Sequence, residues 1–226
     1  MPRPPRIIVP RIPHHVTHRS SHQKNLFFSY FDRIEYLAIL KKQCLRTGLI
    51  VDGFCLMDNH VHLIVTPPTE ESLSSAIGQT ACQFSRAKNL HKKLTGHVWE
   101  RRFYSCPMDD SHYISALLYV DYNPVRAGLV ESPADWLWSS AKAHLGGDDF
   151  TGLIDPHRWK KLSQKIGWAE LMEQSQDSVF AETIERYTET SRPLGDKVFL
   201  RRIEKILGYP VGRRESAGRP GKSEKG

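Results

Sequence analysis

Met57-Asp58-Asn59-His60-Val61-His62-Leu63-Ile64-Val65 is the stretch on which the fold of this chain turns. Side chains alternate faces along a β-strand, so Val61, Leu63 and Val65 face a core while His60 and His62 share the opposite face. The apolar run from Leu49 to Met57 reads as a partner strand, and Asp58-Asn59 supplies the turn between them. Two imidazoles side by side on a rigid strand are half of a divalent-metal site. Among eleven histidines an isolated H-x-H carries little weight. A second constellation about sixty residues later raises it.

Upstream, Arg11-Ile12-Pro13-His14-His15-Val16-Thr17 reads as a first strand, and a helix is expected over 31–46. Pro67-Pro68 ends the hairpin. Thr69 then caps a helix running to about Leu94, with Glu70 and Glu71 in its first turn and Lys92 and Lys93 in its last, as the helix dipole favours. Val98 to Met108 is expected as a further strand. The next helix starts at Asp109-Asp110-Ser111 and is expected to stop at Asn123, before Pro124. Its apolar side is Ile114, Leu117, Leu118 and Val120. His112, Ser115, Ala116, Tyr119 and Asn123 fall on the other side, which places a phenol among small and polar neighbours with a carboxamide one turn on. Tyr113 and Tyr122 lie closer to the apolar side and suit packing.

The order β-α-β-β-α-β-α predicts an α+β fold: a ferredoxin-like, RRM-like antiparallel sheet. Beyond Gly146-Gly147 helices are expected near 156–175, 176–189 and 195–207, as an extension packing on the core. The expected division is 1–147 for the main domain, 148–210 for a helical extension and 211–226 for a basic disordered tail.

A chain of 226 residues with 39% apolar content can bury a real core. No run of eighteen apolar residues exists and the N-terminus is Pro/Arg-rich, which argues against a membrane span or a secretion signal. Cys44, Cys55, Cys82 and Cys106 show no C-x-x-C spacing, so a zinc knuckle or disulfide scaffold is a poor reading and a cytoplasmic, nucleoid-associated location is expected. The charge of +7 is concentrated at the ends. Residues 1–33 carry six Lys/Arg against one acid, and 191–226 carry ten against four; the body between carries sixteen against twenty. Two basic arms flanking a candidate phosphate-chemistry site point to nucleic acid.

Five motifs occur in order: Pro13-His14-His15-Val16-Thr17-His18-Arg19, Leu56-Met57-Asp58-Asn59-His60-Val61-His62-Leu63, Gly96-His97-Val98-Trp99-Glu100-Arg101-Arg102-Phe103, Tyr119 through Val130, and Asp135-Trp136-Leu137-Trp138-Ser139-Ser140. Together they resemble the REP-associated tyrosine transposases, the single-tyrosine HUH class of insertion-sequence enzymes, over roughly residues 1–150. The resemblance implies the same ferredoxin-like fold. It also implies that His60 and His62 are metal ligands, Tyr119 the nucleophile and Asn123 a third polar ligand. Departures are Asp58 where the family usually has Pro, His18-Arg19-Ser20-Ser21 where it has Gln-Arg-Gly-Asn, and Glu100 where it has Gln. Asp58 adds a carboxylate beside the expected metal.

The chemistry follows from those groups. A phenol, with a pKa near 10, is a weak nucleophile at neutral pH, and a phosphodiester repels anions. A Mg²⁺ or Mn²⁺ ion on mixed nitrogen and oxygen ligands answers the second difficulty by polarising a phosphate oxygen. The expected function is a metal-dependent single-stranded DNA endonuclease and strand transferase acting through a 5′-phosphotyrosine; the resemblance implies a transposase that cuts and rejoins DNA at palindromic hairpin repeats. The partner is single-stranded or hairpin DNA, and monomer and homodimer both stay open. Arg86, Lys88, Lys92, Lys93, Arg101 and Arg102 suit a hairpin backbone, although half of them read equally as a solvated helix face. Arg126 is a candidate contact to the scissile phosphate. Trp99, Phe103 and Tyr104 interleave with the arginines and could stack bases, with core packing an equal reading for Trp99 and Phe103.

The alternative is a non-catalytic binder of structured DNA, a repressor or architectural factor, which nicking of an oligonucleotide would decide. A cupin-like oxygenase also uses H-x-H but needs many short strands. An RNA-recognition module shares the element order but requires an aromatic signature missing here.

Overall fold

A computed structural model describes residues 6–93, 95–174 and 178–211. Strands β1 (His14–Arg19), β2 (Ile50–Leu56), β3 (His60–Thr66) and β4 (Tyr104–Pro107) form one antiparallel sheet in the order β2-β3-β1-β4. Helices α1 (Tyr30–Thr47), α2 (Glu70–Lys92) and α3 (Asp110–Arg126) fall between and after them, giving the expected α+β arrangement. Short helix α4 (Ala141–His144) and helices α5 (Pro156–Ile166), α6 (Trp168–Gln174), α7 (Ser178–Glu189) and α8 (Lys197–Leu207) follow. The tail expected to be disordered lies, from residue 212 onward, outside the described residues, as do residues 1–5 of the N-terminal basic arm.

Local chemistry sets the element boundaries. Ser29 and Asp32 close a reciprocal capping box at the start of α1, and Gly48 ends it at φ 69°, a left-handed conformation that costs glycine little. Thr69 starts α2 as expected. Pro13, with no N–H to donate, delays β1 until His14, and the strand continues to Arg19 rather than ending at Thr17. The long strand expected over 98–108 shrinks to Tyr104–Pro107. Trp99 turns its indole N–H to the Ala81 carbonyl of α2, and the exposed Glu100-Arg101-Arg102 run stays in a loop. Pro124 does not stop α3 at Asn123; the helix takes one more turn to Arg126, whose guanidinium donates to the Tyr119 carbonyl at 2.7 Å.

Register gives each face of the sheet its character. Thr17 lies opposite His62, Arg19 opposite His60 and His15 opposite Ile64, so these β1 residues join the histidine face. On the other face Val16, Val61, Leu63 and Val65 are fully buried with the Phe27, Tyr36 and Phe84 rings beneath the paired helices α1 and α2. Each such aliphatic side chain contributes about 1.5–3 kcal/mol. On the histidine face α3 lies against β2 and β3, and α7 against β4 and β1.

Trp159, Trp168 and Ile184 of the extension are buried in the same core as the sheet. Arg158 of α5 bonds Asp52 at 2.6 Å, where β2 bulges between Val51 and Gly53. Asp121 of α3 is wholly buried and meets the His144 ring at 2.6 Å, while the other nitrogen of that ring donates to the Asp52 carbonyl at 3.0 Å. This bonded bridge joins α3 to β2 through α4. Among the described residues no helix is long and apolar enough to cross a membrane.

Candidate active site

The two imidazoles on β3 converge. His60 Nε2 and His62 Nε2 are 2.9 Å apart. Which of them carries a proton follows from their other bonds. His60 Nδ1 is 2.6 Å from Asn59 Oδ1, an acceptor, so the His60 proton sits on Nδ1 and its Nε2 is a bare lone pair. Thr188 of α7 donates its hydroxyl proton to the Ile184 carbonyl at 2.7 Å, so its oxygen accepts from His15 Nδ1, also at 2.7 Å. His15 Nε2 is then an acceptor and takes the Nδ1 proton of His62 at 3.0 Å. His62 Nε2 is left bare in turn. Two lone pairs facing one another repel unless a cation lies between them. Two nitrogens at right angles around an ion about 2.1 Å away would stand about 3.0 Å apart, which the observed spacing matches.

Burial keeps these rings neutral, as ligation requires. It holds His60 down at about 4, helped by the Arg19 charge, and His15 at about 3, helped by His60. His62 is pushed well below its ordinary value by burial and then by His60. Among the described residues no three His, Cys, Asp or Glu side chains gather around one point. Any cation held there would take its further ligands from an amide, backbone, water or substrate. The Asp58 carboxylate is taken by Arg33 at 2.5 Å.

Tyr119 lies beside the pair, its ring edge-on to His62 at 5.4 Å and to His15 at 5.7 Å between centroids. Ala116, Tyr119 and Asn123 are buried, Tyr119 to 4% exposure, because α7 lies over them. The Tyr119 hydroxyl donates to Glu185 Oε1 of α7 at 2.7 Å. Burial first, then the bond to Glu185 and its charge, raise the phenol's pKa; Arg126 and a hydrogen bond from the Asn123 side chain oppose the rise. Arg126 stacks its guanidinium 4.2 Å from the Tyr119 ring centre. A cavity of about 670 Å³ opens beside them, lined by Ser115, Leu118, Tyr119, Tyr122, Arg126 and Phe180. Thus His60, His62 and Tyr119 meet, and Asn123 joins them through the phenol.

The remaining cations divide. Arg86, Lys92, Lys93, Arg101 and Arg102 are exposed. Lys88 is buried instead, its ammonium donating to the Asn25 and Leu26 carbonyls and lying 4.7 Å from the Phe28 ring, so it holds a loop and offers solvent little charge. Phe103 is buried, and Trp99 stacks on His18 at 3.9 Å beside α2. Arg101, Arg102, Arg6, Trp99 and Phe103 share a hollow of about 580 Å³.

Sequence reasoning missed His15, Glu185 and Thr188. Strand alternation could have placed His15 on the face of His62, given the register. Nothing in the sequence marks Glu185 or Thr188.

Comparison with known proteins identifies the family and the fold. The profile of a family described as Transposase IS200 like matches residues 9–123. A protein of Haemophilus influenzae described as a REP-associated tyrosine transposase is 29% identical over 136 residues, spanning 54% of this chain and 77% of that one. A solved REP-associated tyrosine transposase bound to a REP hairpin superposes with a TM-score of 0.55 at 19% identity, covering 69% of this chain and 90% of that one. At that identity the likeness speaks to the fold.

Proposed function

The chain belongs to the IS200-like transposase family, and from that premise we propose that it cuts and rejoins single-stranded DNA at palindromic hairpin repeats through a 5′-phosphotyrosine on Tyr119. The observation that carries this reading is the phenol ring set 5.4 Å from His62, whose Nε2 faces that of His60 at 2.9 Å. The hairpin partner comes from the relatives: one solved member is bound to a REP hairpin.

The Tyr119 oxygen attacks the scissile phosphorus, the bond from phosphorus to the 3′ oxygen breaks, and the strand leaves as a 3′-OH carrying the phenol's proton. Phosphotyrosine is a phosphodiester like the bond it replaced, so a 3′-OH can reverse the step without an external energy source. Arg126, beside the ring and lining the cavity, is placed to meet the phosphate charge. His60 and His62 would hold a Mg²⁺ or Mn²⁺ ion, with the Asn123 amide as a third ligand; when bound, the ion supplies charge stabilisation at a non-bridging oxygen. Asn123 also donates toward the phenol oxygen and so favours its ionised form.

Tyr119→Phe tests the reading. It should leave binding of a labelled hairpin within about twofold of wild type and abolish the covalent adduct formed with single-stranded DNA and Mn²⁺. An adduct surviving in that variant removes Tyr119 from the role. Wild-type protein that binds the hairpin yet cuts no oligonucleotide would make it a non-catalytic binder of structured DNA.

A further inference from the structure

We infer that Thr188 and His15 are positioning residues for the cation site, Thr188 on α7 setting the tautomer of His62 through the His15 ring. The inference rests on the proposed role of His62 as a ligand and extends it to a helix outside the matched family region, residues 9–123. The chain of contacts is continuous: Thr188 Oγ1 to His15 Nδ1 at 2.7 Å, His15 Nε2 to His62 Nδ1 at 3.0 Å, and His62 Nε2 to His60 Nε2 at 2.9 Å. Thr188 and His15 are both fully buried, so water cannot substitute at that end. The His15 and His62 rings are nearly parallel, 8° apart, and Tyr119 stands edge-on to both, which fixes the two planes.

Such a row of neutral rings has two registers. In one, each ring donates from Nδ1 toward Thr188, and His62 Nε2 is bare for a cation. In the other, each donates from Nε2 toward His60, and His62 closes on His60 through an N–H···N bond, which blocks ligation. The Thr188 hydroxyl spends its proton on the Ile184 carbonyl at 2.7 Å, so it presents an acceptor to His15 and selects the first register. Without that acceptor, the second register is favoured by its bond to His60. Outer partners that orient a ligating histidine are commonly worth roughly 10- to 100-fold in metal affinity.

The test uses the full chain in three forms: wild type, Thr188→Val, which keeps the side-chain shape, and Thr188→Ser, which keeps the hydroxyl. Two-bond ¹H–¹⁵N spectra of the metal-free protein read the His62 tautomer, with His62→Gln providing the assignment. Paramagnetic resonance of free Mn²⁺ reads affinity, and circular dichroism establishes that each form is folded. Expected are a larger Nδ1–H fraction of His62 in wild type and Thr188→Ser than in folded Thr188→Val, and roughly 10- to 100-fold weaker Mn²⁺ binding in that variant alone. An Nδ1–H fraction no larger in wild type than in Thr188→Val overturns the inference. So does a folded Thr188→Val that binds Mn²⁺ like wild type, or Thr188→Ser failing as badly as Thr188→Val. None of these readouts requires DNA cleavage. A wild type that holds Mn²⁺ on an Nδ1–H His62 but forms no phosphotyrosine therefore defeats the proposed function and leaves this inference standing.

Discussion

Glu185 is the group whose removal should change the chemistry most informatively. Its carboxylate accepts the Tyr119 hydroxyl at 2.7 Å and adds a negative charge next to an oxygen that, in the proposed reaction, must give up its proton to attack. That contact helps raise the phenol's pKa. Glu185→Gln keeps an acceptor of the same shape and deletes the charge. A hydrogen bond to a charged group contributes about 1.5–3 kcal/mol and a neutral one about 0.5–1.5 kcal/mol, so the difference is on the order of 1 kcal/mol. Glu185 is exposed on its outer side, and solvent screening holds the estimate at that lower end. One kilocalorie corresponds to roughly fivefold in rate. Relief of the repulsion between the carboxylate and an incoming phosphodiester acts in the same direction and should fade as salt is added. The assay is the rate of covalent adduct formation on labelled hairpin DNA with a single-stranded flank, in Mn²⁺ at neutral pH. The expected outcome is a rise of about 5- to 10-fold at unchanged hairpin affinity. A fall of tenfold or more would refute the reasoning and identify Glu185 as the acceptor of the phenol's proton.

Two further outcomes follow from buried groups. His14, His15 and His18 are held by burial at about 4, 3 and 4, below the ordinary 6.5. The unfolded chain therefore takes up protons first, so stability is complete above pH 6.5 and is lost as pH falls toward 4, at about 4 kcal/mol per pH unit between pH 6 and 5. Urea titrations at pH 7, 6 and 5 check this, and equal midpoints would contradict it. Lys88→Met should lower stability by about 1–2 kcal/mol through the lost loop carbonyl bonds while leaving hairpin affinity intact. Arg102→Ala should do the opposite, weakening binding at unchanged stability and reducing the slope of log affinity against log salt by about one. Equal effects of the two substitutions on DNA binding would erase the distinction drawn between a buried and an exposed cation.

The sheet was legible because its signals are local. Alternation around His60 and His62, the Asp58-Asn59 turn, Thr69 as a cap and the break at Pro67-Pro68 each act within a few residues, and all of them hold. The Tyr119–Asn123 spacing was legible for the same reason: one helical turn joins them. What failed depends on distant chain. On its own helix the stripe carrying Tyr119 reads only as small and polar, yet Glu185, 66 residues later, takes the phenol's hydrogen bond, and Thr188 reaches His15 across 173 residues. Lys88 sits among basic neighbours in sequence, and only the loop at Asn25 and Leu26 shows that it is spent on carbonyls. The strand expected over 98–108 is interrupted at 101–103: Trp99 still bridges Ser20 just past β1, and regular pairing resumes only at Tyr104. Neither hydrophobic period nor charge count marks that interruption.

The bond between Asp121 and His144 has a mechanical meaning. Once Tyr119 is joined to a DNA strand, the protein is tethered to a long polymer whose thermal motion tugs at the middle of α3. Asp121, two residues further on, projects to roughly the opposite side of the helix, where its wholly buried carboxylate is moored through His144 to the backbone of β2. Under the proposed function, tension on the captured strand would pass into the sheet that carries His60 and His62, so that the phenol and the imidazole pair would shift together as one body.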